Sequence, residues 1–154
     1  LKKIKKSSHS RIKNTLELIL KYGLQDAHDS FEFSTGLPAY DAWISALTNQ
    51  KVDPYGQAFN IQVLKNARKS AICFLDHFKN EFIEEEQINK VIQSRSSFSK
   101  VVELIEELEY LFPYPDGGNT RDKININAAV SLLKEIRYKE ETALLHLKEL
   151  STII

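Results

Sequence analysis

From Ala58 onward the apolar residues recur at three- and four-residue spacings through long runs. That period of about 3.6 is the signature of amphipathic helices, and it limits what the chain can fold into more than any other feature. Val63, Ala67, Ala71, Phe74 and Phe78 form one stripe, widened by Leu64, Ile72 and Leu75, in a helix expected to reach about Glu81. Ala67 and Ala71 are small enough to admit a close neighbouring helix. Ile88, Val91, Ile92, Phe98, Val101, Val102, Ile105 and Leu108 mark the next helix. Its phase carries across the polar patch Ser94-Arg95-Ser96-Ser97, so it is expected to run through unbroken. The clearest break is Phe112-Pro113-Tyr114-Pro115-Asp116-Gly117-Gly118-Asn119, because paired prolines and glycines do not continue a helix. A last helix opens near Asp122 or Asn125 and is marked by Ala129, Leu132, Leu133, Ile136, Ala143, Leu144, Leu147 and Leu150. Glu140 and Glu141 are read as part of its polar side.

Ahead of Ala58 the elements are shorter. Ser8 or Ser10 is placed to cap a first helix carrying Ile12, Leu16, Ile19 and Leu20, with Gly23 as its stop. Residues 24–35 show no clean period and read as a loop with a short turn of helix. Thr35-Gly36-Leu37-Pro38 leads into a short helix, with Tyr40, Trp43, Ile44 and Leu47 on one face and its end near Thr48. Asp53, Pro54 and Gly56 then signal a turn. These elements predict an all-α fold: a single-domain helical bundle of about four long helices plus one short helix. The 154 residues suffice for one core without metals or disulfides.

Charge narrows the partners. Lys and Arg total 21 and Asp and Glu total 21, whereas a dedicated nucleic-acid binder carries a basic excess. The distribution is uneven. Lys2, Lys3, Lys5, Lys6, Arg11 and Lys13 make a basic start, while Glu84–Glu86, Glu103, Glu106, Glu107 and Glu109 make an acidic later stretch. Both read as solvated helix faces, or as a basic arm that meets acid in a partner or in the acidic helix itself. No apolar run reaches membrane-spanning length and no signal-peptide pattern occurs, so a cytoplasmic protein without membrane or nucleic-acid partners is expected. Methionine is absent, the initiator included, so the chain is expected to be a fragment or a processed product.

A search for chemistry returns little. The four histidines, His9, His28, His77 and His146, show no zinc spacing, and no Glu precedes a His by three. His28 with Asp26 and Asp29 reads as a solvated loop, so no metal or cofactor is expected. Cys73, the single cysteine, sits between Ile72 and Phe74 and reads as a core residue, although His77 lies one turn away. Lys65, Asn66, Arg68 and Lys69 read as a solvated face rather than a recognition helix. No catalytic residues are identifiable, and whether the chain is an enzyme stays open.

The aromatic residues Tyr40, Trp43, Tyr55 and Phe59 cluster around the short helix and its turn. Such residues anchor packing, or line pockets and interfaces. The segment from Ser34 to Leu47 carries a Gly-x-x-Ala-Tyr-x-x-Trp-x-x-x-Leu pattern in Gly36, Ala39, Tyr40, Trp43 and Leu47. It resembles the helical region of bacterial C39-type cysteine-peptidase-like proteins of the butirosin biosynthesis H type, over about residues 10–80. The resemblance implies a helical portion that binds a ligand or covers a site belonging to another domain or subunit. Tyr40, Asp41, Trp43 and Tyr55 are the contact candidates. The family's nucleophilic Cys and its His have no counterpart here, so activity does not carry over. The alternative is a free-standing interaction or regulatory bundle that forms homo-oligomers.

Overall fold

A computed structural model describes the backbone of residues 2–24 and 36–154, and the side chains from residue 9 onward within those spans. The described residues form α1 (Lys2–Leu24), α2 (Pro38–Thr48), α3 (Pro54–Phe78), α4 (Glu85–Leu111) and α5 (Lys123–Thr152), with a short 3₁₀ turn at Lys79–Glu81. This is the all-α bundle of four long helices and one short one. Residues 25–35, where a loop was expected, lie outside the described residues.

The helix starts follow capping chemistry. Asp53 is the N-cap of α3: its Oδ2 accepts the Gly56 N–H at 2.7 Å, and Pro54 stands in the first turn. The expected turn at 53–56 is therefore the cap itself, and α3 begins at Pro54 rather than Ala58. Asp122 caps α5 in the same way, its Oδ1 accepting from Ile124 N–H at 3.0 Å. α1 is already helical at Lys2, so neither Ser8 nor Ser10 caps it. α4 runs unbroken through Ser94–Ser97.

α4 and α5 form the central pair. Their close approach is allowed by Ser94, fully buried, whose hydroxyl donates to the Ala143 carbonyl at 2.9 Å. α3 packs on α4, and α1 and α2 pack on α5. The core comprises Leu16, Leu47, Ile61, Leu75, Val101, Ile105, Leu108, Leu133, Ile136 and Leu147, with Phe112 closing its end. Three ion pairs tie α4 to its neighbours. Lys65 and Gln62 of α3 both reach Glu109, the lysine at 2.6 Å, Arg95 pairs with Asp76 of α3 at 2.6 Å, and Lys90 pairs with Glu149 of α5.

At two glycines a close approach seats one helix end on another. Gly36 has φ +64°, and a Cβ there would stand 2.5 Å from the Tyr22 carbonyl oxygen and 2.6 Å from that of Gly23. The next residue, Leu37, donates its N–H to Gly23 O at 3.0 Å, so the end of α1 is closed by the entry to α2. Gly117, at φ +83°, lies against Pro54, where a Cβ would meet the carbonyl oxygen at 2.1 Å. The break after α4 is thereby seated on the start of α3.

The buried face of α3 differs from the expected stripe. Gln57, Ala58, Ile61, Leu75 and Phe78 are buried, whereas Val63 and Phe74 are 51% and 41% exposed. Several apolar stripes overlap on this helix, and the one that meets α4 is rotated from the one through Val63. Ala67 therefore receives no close-packed helix. Cys73 is exposed rather than core, on the outer side of the same helix.

Candidate functional site

α1 and α3 both rest on the α4/α5 pair without packing closely on each other, and a groove opens between them. Its apolar stretch, about 410 Å³, is lined by Ile19 of α1, Ala67 and Phe74 of α3, Phe98 of α4 and Leu147 of α5. A second stretch of about 300 Å³ shares Ile19, Ala71 and Phe98 with the first and continues toward the end of α1. There Tyr22, Gly23 and Gly36 form one wall, and Arg68 and Glu140 supply the charge. The groove is thus amphipathic along its length: hydrocarbon at one end and an ion pair at the other. Each stretch falls in the size range of small-molecule pockets.

The ion pair joins α3 to α5. Arg68 Nε donates to Glu140 Oε1. The two partners are unequally covered: the Glu140 side chain is 4% exposed and that of Arg68 26%. Burial works to lower the guanidinium's proton affinity, but Glu140, with help from Tyr40, more than offsets it and holds Arg68 above its ordinary value. Tyr40 of α2 is the third member. It is 3% exposed, and burial together with the Glu140 charge pushes its hydroxyl well above the ordinary phenol range. That hydroxyl stands beside Arg68 and Glu140 without an aligned hydrogen bond to either. It is a neutral donor held in reserve at the edge of a buried salt bridge.

The remaining candidates of the short helix serve different ends. Trp43, half-buried, donates its indole N–H to Gln57 Oε1 at 2.8 Å and so pins α2 to the first turn of α3. Asp41 is exposed and lies 3.0 Å from Arg137 Nε, while Arg137 also donates to Glu141 at 3.0 Å. Tyr55 is exposed in that same first turn of α3, where its ring points away to lie 5.8 Å from that of Tyr114. The structure therefore brings only Tyr40 to the charged end of the groove. Trp43 and Asp41 fix the helix that carries it, and Tyr55 belongs to a separate surface.

Arg68 and Glu140 were both expected on solvated faces. The signal that could have placed them is the register: Arg68 falls four after Leu64 and seven after Ile61, and Glu140 four after Ile136 and four before Leu144. Each sits where the core stripe of its helix demands an apolar residue. His77 offers no dyad, because its Nδ1 lies 2.8 Å from the backbone carbonyl of Cys73 rather than addressing the thiol. Among the described residues no group of three His, Cys, Asp or Glu side chains is placed to hold a metal, and no helix is long and apolar enough to cross a membrane. No family model, curated protein or solved structure matches this chain.

Proposed function

We propose that this chain is a non-catalytic helical binding module that takes an amphipathic small molecule in the groove between α1 and α3. One observation carries the reading. A buried Arg–Glu pair is costly to desolvate and contributes little stability over an apolar replacement, yet here it lines the wall of an open apolar groove. An arrangement of that kind suits recognition: the apolar length supplies affinity and the ion pair orients the ligand. The Tyr40-bearing segment then acts as a support for the recognising arginine. This fits the resemblance to the helical region of bacterial C39-type proteins, in which chemistry belongs to another domain or subunit. The exposed thiol of Cys73 suits a reducing compartment such as the cytoplasm.

Nile red, an uncharged dye whose emission reports apolar surroundings, tests the reading. Titration into the protein is expected to give saturable, blue-shifted emission that Ala67→Trp abolishes, since Ala67 is exposed and lines the apolar stretch. Absence of saturable binding, or binding indifferent to Ala67→Trp, contradicts it.

A second reading, self-association, is favoured by one surface. Tyr55, Phe59, Tyr110, Tyr114 and Ile124 are all exposed where α3 starts, α4 ends and α5 starts. Apolar surface gathered at one end of a bundle is a common interface. Sedimentation equilibrium of the wild type against Tyr110→Lys separates this reading from a monomeric binder.

A further inference from the structure

The groove's polar end restricts the class of head group, an inference that rests on the binding reading above. Arg68 has one of its N–H groups committed, Nε to Glu140. Its side chain is far more open than that of Glu140, so the groove meets guanidinium donors before it meets carboxylate. Among the described residues the guanidinium has no second carboxylate partner; beside it stands the Tyr40 hydroxyl, which is buried and lacks an aligned hydrogen bond. Among the described residues the wall thus presents guanidinium donors to the groove ahead of carboxylate oxygen, and a ligand suited to it brings an acceptor oxygen.

Charge then selects among acceptors. Glu140 already neutralises Arg68. A carboxylate head would leave one uncompensated negative charge in a partly dehydrated site, an expensive state. An ammonium head would have to pass the guanidinium to reach a carboxylate that is nearly covered. A neutral carbonyl accepts from Arg68 without disturbing the pair. We infer that the groove takes an uncharged, chain-bearing amide or ester, with its carbonyl on the Arg68 guanidinium and its hydrocarbon along Ile19, Phe74, Phe98 and Leu147.

Titration calorimetry on the full chain with decanamide, decanoate, decylammonium and acetamide tests this. Decanamide is expected to bind, decanoate at least about tenfold more weakly, decylammonium more weakly still, and acetamide without measurable heat, because it lacks the tail. Ala67→Trp is expected to remove decanamide binding while circular dichroism stays unchanged. Equal affinity for the three long-chain heads, lost in Ala67→Trp, overturns the head-group inference and leaves the groove as a binding site. Failure of decanamide to bind, or binding that survives Ala67→Trp, overturns the groove reading as well. A dimer that Ala67→Trp dissociates puts a second copy in the groove and overturns both. Arg68→Lys keeps the charge opposite Glu140 but removes the planar fork. It is expected to weaken decanamide binding several-fold while the preference for amide over carboxylate stays, because the charge balance is kept; an undiminished decanamide affinity would refute the role given to Arg68.

Discussion

Replacing Gly36 with alanine probes the contact that sets Tyr40 in place. Two separate costs apply. The residue sits at φ +64°, in the left-handed region, where a side chain costs about 1–2 kcal/mol. The added Cβ would also stand 2.5 Å and 2.6 Å from two backbone carbonyl oxygens at the end of α1. Backbone atoms cannot swing aside as a side chain tip can, so α1 and α2 must separate and the Leu37 N–H to Gly23 O bond at 3.0 Å is lost. Adding about 1 kcal/mol for that bond gives a loss of about 2–3 kcal/mol. For a chain of this size that lowers Tm by about 4–12 °C. Gly23→Ala is the matched control. Its Cβ would meet only the Leu144 side chain, at 2.9 Å, and alanine's better helix propensity, worth about 1 kcal/mol, offsets much of that crowding. Thermal and urea unfolding of the two variants should therefore differ by at least about 2 kcal/mol. Equal losses would refute the seating of α2 on the end of α1.

Further outcomes follow from the same contacts. Arg68→Leu strands a nearly covered carboxylate and should cost about 3–5 kcal/mol, whereas Glu140→Gln leaves an arginine that can turn toward the groove and should cost about 2 kcal/mol; urea denaturation in the opposite order contradicts the unequal burial. Trp43→Phe leaves the Gln57 carbonyl oxygen buried without its donor and should cost about 1–3 kcal/mol by the same assay. Ser94→Leu forces a larger side chain between α4 and α5 and should cost about 1–3 kcal/mol, read as a fall in Tm. Lys65, with Gln62, holds the Glu109 carboxyl below its ordinary range. The depressed value means that its contribution is present above the unfolded glutamate range and is lost as pH falls through the folded value. Glu109→Gln should therefore flatten the acid limb of the stability–pH curve, and an unaltered limb would show the pair to be inert.

Much of this fold is legible in the residues because helix periodicity and breakers act locally. The Pro113–Gly118 break, the short helix after Gly36 and the continuity of α4 through its serines all follow from spacing and backbone chemistry. The site is less legible, for a physical reason. Arg68 and Glu140 lie on opposite core stripes of two helices, and only tertiary packing reveals that each neutralises the other. Taken alone, the register points each side chain toward the core, but a long charged side chain there reads as readily as one that reaches back to solvent. The same ambiguity set the α3 stripe through Val63 and moved Cys73 inward. The overlapping apolar rows of that helix are resolved only by which neighbour it meets. The aromatic segment was readable as special. Its purpose was not, since Tyr40 turns inward to the ion pair while Asp41 and Trp43 act as ties to α5 and α3.

A crystal structure of the chain with decanamide tests the central claim most directly. The amide carbonyl is expected within hydrogen-bond distance of the Arg68 guanidinium, with the Arg68–Glu140 pair intact and the alkyl chain against Phe74 and Phe98. An alkyl chain bound at the Tyr55–Tyr114 end of the bundle, with the groove left to solvent, would contradict it.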